Sequence, residues 1–199
     1  MDKNEKHQRA MKKQKLSVDS SIAEASLEKG IALLLTGDGK GKSSSAFGMV
    51  MRALGYGHKV GVVQFIKGEQ LSGEEIYLRE HCPEVDLYQM GTGFTWDTQD
   101  RQADIDAAQK TWQEAKRMLT DRSYDLVVLD ELTYMLAYDY LDQDEVLTTI
   151  QARSFDQSVV VTGRGGGSKL KAIMDTVSEV KEIKHAFRAG VKARKGVDY

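Results

Sequence analysis

The segment Ile31 to Ser44 constrains this chain more than any other. An apolar run, Ile31-Ala32-Leu33-Leu34-Leu35, enters Thr36-Gly37-Asp38-Gly39-Lys40-Gly41-Lys42-Ser43-Ser44. A strand, a glycine-rich turn and a helix opening at Gly-Lys-Ser make a site for a polyphosphate. Glycines let successive backbone N–H groups curl around an anion, Lys42 brings a mobile positive charge, and the Ser43 hydroxyl is placed for Mg²⁺. Unpaired N–H groups and the positive end of the helix dipole add to the field there. The usual spacing begins with glycine where this chain has Thr36, so the loop is a variant with a second lysine, Lys40.

Further along, strands and helices are expected to alternate. Ser44 to Leu54 is predicted as a helix closed by Gly55 and Gly57, followed by a β-branched strand over 59–66 and a shorter one over 85–90. Residues 100–119 carry a helical apolar period, and 125–131 form a buried strand ending in acids. Residues 143–152 are predicted as a helix, 158–162 as a strand and 169–177 as a helix. Several strands are apolar throughout, which predicts an α/β fold: a mostly parallel sheet with helices on both faces. Right-handed crossovers then gather the loops that follow the strands at one edge, where ligands bind.

Val127-Val128-Leu129-Asp130-Glu131 has the form of a second nucleotide motif, a hydrophobic strand with carboxylates at its tip. Beside a phosphate loop such an acid holds Mg²⁺ directly or through water; the plainer reading is an acid that caps a helix. Val159-Val160-Val161 leads into Thr162-Gly163-Arg164-Gly165. Arg164 is a candidate phosphate contact, against the reading of a surface arginine at a glycine turn. In Gly91-Thr92-Gly93-Phe94-Thr95-Trp96 two aromatics lie in a polar loop with no helix or strand period. They are either stacking groups for a flat ligand or residues folded inward.

The sequence has 199 residues, enough for one α/β domain. Residues 1–29 are expected to be a basic tail and helix, with a single domain over 30–199. The first fifteen residues carry six basic and two acidic side chains and suggest a solvated, mobile tail, with a helix over 16–29 that could fold over the site. A net charge of −2 gives no argument for nucleic acid or a membrane surface. The lone cysteine, Cys82, excludes an internal disulfide, and its neighbour His81 has no further ligands near it. Without a spanning apolar run or a signal-peptide core, the default compartment is the cytoplasm.

Taken together, these residues resemble the P-loop family of ATP:corrinoid adenosyltransferases. The matching stretches are 36–44, Val-Gly-Val-Val-Gln-Phe-Ile-Lys-Gly at 60–68 and Gly-Phe-Thr-Trp at 93–96. Val-Val-Leu-Asp-Glu-Leu-Thr-Tyr at 127–134, Thr-Gly-Arg-Gly at 162–165, Asp-Thr-Val-Ser-Glu at 175–179 and Lys-His-Ala-Phe at 184–187 complete the set. Asp38 departs from the family, which has an uncharged residue there, and Ser43 and Ser44 replace two threonines. A carboxylate in a phosphate cradle opposes the anion unless it turns outward or pairs with Lys40.

The resemblance implies a P-loop NTPase, RecA-like fold and transfer of the 5′-deoxyadenosyl group of ATP to Co(I) of a corrinoid, with release of triphosphate. It assigns Lys42, Glu131, Phe94 and Trp96 to catalysis, and residues 36–44 with Arg164 to ATP. Ser43 and Glu131, with Asp130 as the second acid, fall to Mg²⁺, with Mn²⁺ as an alternative ion. The aromatics would act on the lower face of the corrinoid. A homodimer and a flavodoxin-type electron donor are further implications. The competing readings are a RecA-like ATPase in which Glu131 activates water, and a non-catalytic nucleotide switch.

Overall fold

The computed structural model describes residues 2–66, 71–91 and 100–199. Six strands form one sheet: β1 (Ala32–Thr36), β2 (Val60–Gln64), β3 (Asp86–Gln89), β4 (Leu126–Asp130), β5 (Ser158–Thr162) and β6 (Thr176–Glu179). Their order is β3-β2-β4-β5-β1-β6, and every pairing is parallel. The register sets Val128 opposite Val62 and Val160, and Leu34 opposite Val161 and Val177.

Alternation along the strands divides the core in two. Ala32, Leu34, Val127, Leu129, Val159 and Val161 face one side, packed with α4 (Arg101–Thr120), α5 (Leu132–Ala137), α6 (Gln143–Ala152) and α7 (Gly167–Ile173) through Trp112, Met118, Leu132, Met135, Ile150 and Leu170. Leu35, Val60, Val62, Leu126, Val128 and Val160 face the other, against Phe47 and Val50 of α2 (Lys42–Gly55) and Leu78 of α3 (Gly73–His81). At about 1.5–3 kcal/mol per buried large side chain, these two layers hold the sheet rigid beneath the loops at its carboxyl edge.

Three local expectations are corrected. The basic N-terminal segment is helical from the start: α1 (Lys3–Glu24) replaces a mobile tail followed by a helix over 16–29. Lys, Arg, Gln, Met and Ala are good helix formers, and neither Gly nor Pro interrupts them. No residue of α1 is buried. The helix expected over 169–177 stops at Ile173, and Thr176–Glu179 pairs with β1 as the sixth strand. That edge strand is solvent-exposed along its length and so shows no inside–outside alternation to read. Sequence reading also passed over α3, whose start Ser72 fixes by accepting a hydrogen bond from the Glu75 N–H at 3.1 Å.

Candidate nucleotide site at the carboxyl edge of the sheet

β1 delivers the chain to the phosphate loop, and two features hold the loop's shape. The Thr36 hydroxyl donates to the Gly165 carbonyl at 2.9 Å, tying the first loop to the one after β5. The Gly39 N–H donates to the Val180 carbonyl at 2.8 Å, so the segment leaving β6 lies against the loop. Gly37 has φ +103°, and a Cβ there would come within 2.4 Å of the Val180 oxygen. Only glycine satisfies both the backbone angle and the close approach.

Lys42 opens α2 with Gly41 as its N-cap, and no acidic residue stands in the first turn to neutralise the helix end. Lys42 is 8% exposed, and its Nζ donates to the Gly39 carbonyl at 2.9 Å. Burial lowers its pKa; the neighbouring Glu131 opposes that shift. Ser43 is half-buried and Ser44 exposed. A cavity of about 320 Å³ is lined by Gly41, Lys42, Ser43, Asp130, Glu131 and Asp198, among others. The loop, Lys40, Ser43, Ser44, Asp130 and Glu131 thus lie around one cavity.

The two acids have different surroundings. The Asp130 carboxylate is 4% exposed and accepts at both oxygens: from the Thr162 hydroxyl at 2.6 Å and from Gln64 Nε2 at 3.2 Å. Gln64 Oε1 in turn accepts from Gln89 Nε2 at 2.7 Å, and Gln89 reaches Glu75 Oε2 at 2.6 Å. Arg79 closes this network on Glu75 at 2.9 Å. Asp130 is therefore the buried end of a polar chain that crosses β2 and β3 toward the surface.

Glu131 follows in the left-handed region at φ +60°, which is uncommon for a residue with a side chain and costs on the order of 1 kcal/mol or more. Its backbone N–H donates to Thr162 Oγ1 at 2.9 Å, which holds the turn. Its Oε2 is buried without a hydrogen-bond partner, and so is Thr133 Oγ1. A Cβ on Gly163 would strike Thr133 Oγ1 at 2.0 Å and approach Glu131 Oε2 at 3.3 Å, so a glycine at this place, with φ +136°, is what admits both groups. Burial, and then the charge of Asp130, push the Glu131 pKa up to about 7.

A buried carboxylate oxygen with no partner is a costly arrangement unless a cation or a proton completes it. Mg²⁺ is commonly held by one or two carboxylates with phosphate oxygens supplying further ligands. Glu131 and Ser43 fit that donor set, and Asp130, with both oxygens engaged, fits a supporting place better. Among the described residues no group of three or more His, Cys, Asp or Glu side chains is gathered for a metal.

The remaining candidates lie at the rim. Asp38 is 78% exposed at its side chain and stands 4.0 Å from Arg164 Nε. It turns outward as expected, but its neighbour is Arg164 rather than Lys40. Lys40 pairs with Asp198 at 2.9 Å. On the outer side of the loop, Asp38, Gly39, Lys40, Lys42 and Arg164 share a second cavity of about 480 Å³ with His185, Phe187 and Arg188. Sequence reading missed Gln64, Thr162 and Asp198, which reach the site only through long-range packing. Phe94 and Trp96 lie outside the described residues.

Comparison with known proteins gives a separate line of information. Residues 28–199 match the family model described as ATP:corrinoid adenosyltransferase BtuR/CobO/CobP. The chain is 52% identical over 198 residues to a corrinoid adenosyltransferase of Pseudomonas aeruginosa, covering 100% of this chain and 98% of that one. It is 50% identical over 196 residues to the corrinoid adenosyltransferase of Escherichia coli K12, covering 98% and 99%. Among solved structures, the flagellar accessory protein FlaH of Methanocaldococcus jannaschii superposes with a TM-score of 0.51 at 10% identity, over 77% of this chain and 72% of that one. That likeness supports the arrangement of strands and helices in the sheet and says nothing about activity.

Proposed function

This chain belongs to the ATP:corrinoid adenosyltransferase family, a family of transferases, and from that premise we propose that it moves the 5′-deoxyadenosyl group of ATP onto the Co(I) centre of a corrinoid. Co(I) attacks C5′ with its electron pair, a Co–C bond forms, the C5′–O bond breaks, and the whole triphosphate leaves with that oxygen. The observation that carries the reading is the phosphate loop facing Glu131, a half-buried residue with one carboxylate oxygen buried and unpartnered.

The nucleophile is cobalt, so the protein's work is position and electrostatics. Lys42, the loop N–H groups and the start of α2 bind the triphosphate and stabilise the charge that grows on its bridging oxygen. Glu131 and Ser43 would hold Mg²⁺, which when bound adds cationic charge at the phosphates. Asp130, fixed by Thr162 and Gln64, keeps the β4 tip in register beneath Glu131. Arg164, beside Lys42 and near Asp38, supplies positive charge at the mouth.

For Phe94 and Trp96 the proposal is a wedge on the lower face of the corrinoid. An axial donor makes reduction of Co(II) harder, and replacing it with apolar rings brings the potential within reach of a biological donor. A flavodoxin-type donor, a homodimer and a cytoplasmic setting belong to the same reading. No helix among the described residues is long and apolar enough to cross a membrane.

The test is an anaerobic assay with MgATP and either pre-formed Co(I) or Co(II) plus an enzymatic reductant, following Co–C formation by absorbance. The native protein forms the alkylcorrinoid in both regimes. Phe94→Ala and Trp96→Ala retain much activity with Co(I) and lose most with Co(II). Production of ADP and phosphate without alkylation would replace this reading with an ATPase.

A further inference from the structure

The phosphate loop holds two lysines with different surroundings. Lys42 is buried in the loop and bonded to it, whereas the Lys40 side chain is 42% exposed and its Nζ lies 2.9 Å from Asp198 Oδ1, almost at the end of the chain. Asp198 is presented by a built turn rather than a loose end. Its Oδ2 accepts from the Arg194 N–H at 2.9 Å, its own N–H donates to the Arg194 carbonyl at 2.8 Å, and the Gly196 N–H donates to the Tyr199 carbonyl at 2.7 Å. The carboxylate lines the same cavity as Gly41, Lys42, Ser43, Asp130 and Glu131. A negative group from the C-terminal turn therefore sits where the loop's outer cation would meet an anionic ligand.

We propose that Asp198 is an internal competitor for Lys40: its carboxylate takes the place of a phosphate oxygen on that lysine, and a bound triphosphate must exchange it. This deepens the reading of the site as one for a nucleoside triphosphate and rests on it. Magnitudes favour exchange over a permanent bond. Side-chain exposures of 42% and 26% make this a surface-type pair, of the weak, solvent-screened kind. A polyanion meeting Lys40 together with Lys42 and the helix start offers more, so the pair yields. The beginning of the tail stays in place, because the Val180 carbonyl holds the Gly39 N–H beneath the loop. The exchange thus frees the last turn without detaching the tail from the site. Its consequence is a lowered affinity for any phosphate ligand, the triphosphate product included.

The opposite role, in which Asp198 orients Lys40 for phosphate, differs from this one in the sign of its effect. The experiment is calorimetric titration of the full chain with MgATP and, separately, with inorganic triphosphate, at fixed ionic strength. Asp198→Asn should bind both about two- to fivefold more tightly, the upper value corresponding to about 1 kcal/mol. In a Lys40→Gln background the gain should vanish, because competition needs the lysine. Hydrogen exchange of residues 192–199 in the native protein should also rise on adding inorganic triphosphate.

Unchanged or weaker binding by Asp198→Asn would overturn the proposal. So would an equal gain with Lys40→Gln, which would mark a general field effect. Failure of the adenosyl-transfer reading would show differently, as phosphate binding without Co–C bond formation.

Discussion

In the nucleotide site Lys42 and Asp130 are buried and hydrogen-bonded, whereas along α1 every side chain is exposed. Lys42 is 8% exposed and Asp130 4%, with Thr162 and Gln64 engaged on the acid. Helix α1 carries more basic residues than the phosphate loop, yet it buries none of its residues. Charge by itself therefore does not mark the site. What marks it is charge that the fold has removed from water and oriented, because a cation or anion in a low-dielectric cleft acts on a ligand far more strongly than one on the surface.

The C-terminal turn lies between these extremes, exposed but held to the loop by the ion pair between Asp198 and Lys40. This gradient from interior to periphery gives an expected order of mutational effects.

The largest effect should come from Lys42→Ala. Loss of a preorganised charge on the leaving triphosphate should lower kcat/KM on the order of 10²-fold or more. Circular dichroism should show the fold retained, since a lysine at a helix start is not part of either hydrophobic layer. Near-native turnover would break the contrast between the buried and the exposed cations.

Glu131→Gln comes next. Removing one charged ligand group should raise the half-saturating Mg²⁺ concentration tenfold or more, in line with the roughly 1.5–3 kcal/mol of a charged hydrogen-bonding contact. The same variant reports on pH. With a pKa raised to about 7 in the fold from an ordinary 4.5, Glu131 favours its neutral form in the native state. That contribution to stability is complete below the ordinary value and is lost as pH rises through about 7. Glutamine is neutral throughout. In Mg²⁺-free buffer the two proteins should melt at similar temperatures near pH ~4, and the variant should become the more stable as pH rises toward ~8. A constant difference across that range would contradict the assigned cause.

Asp130→Asn sharpens the division between the two acids. It disturbs a buried, fully bonded carboxylate, so it should cost about 1–3 kcal/mol in denaturant unfolding. Its effect on the Mg²⁺ requirement should be smaller than that of Glu131→Gln. The reverse ranking would exchange the two roles. The smallest effect should be that of Asp38→Asn. An exposed carboxylate 4.0 Å from an exposed arginine has little hold on the ligand, and the KM for ATP should move by less than about threefold. A tenfold gain in affinity, about 1.4 kcal/mol, would show that Asp38 opposes the nucleotide after all.

The parts of this design that were legible in the sequence are those whose cause is local. The phosphate loop announces itself because strand, glycines, lysine and helix start are contiguous over fourteen residues. β4 does so because four buried apolar residues run into two acids, Asp130 and Glu131. The two-sided sheet followed from runs such as Val159-Val160-Val161, apolar on both faces.

The distinction between Asp130 and Glu131 was not legible. It depends on Thr162, 32 residues away, and on Gln64, 66 residues away, meeting one carboxylate. β6 was hidden because an exposed edge strand of four residues has no hydrophobic period. The support of the phosphate loop by Val180, and the reach of Asp198 to Lys40, come from residues far from the loop in sequence. Long-range pairs of this kind leave no spacing for a single sequence to display.

The central claim is that the loop and Glu131 serve a reaction in which triphosphate leaves from C5′. ATP carrying ¹⁸O at the 5′ bridging position tests it most directly, in a single anaerobic turnover with Co(I) corrinoid and analysis of the phosphate product by mass spectrometry. The account predicts inorganic triphosphate retaining the label, together with an unlabelled adenosyl-corrinoid. Label recovered in ADP, with unlabelled phosphate and no Co–C bond, would contradict it.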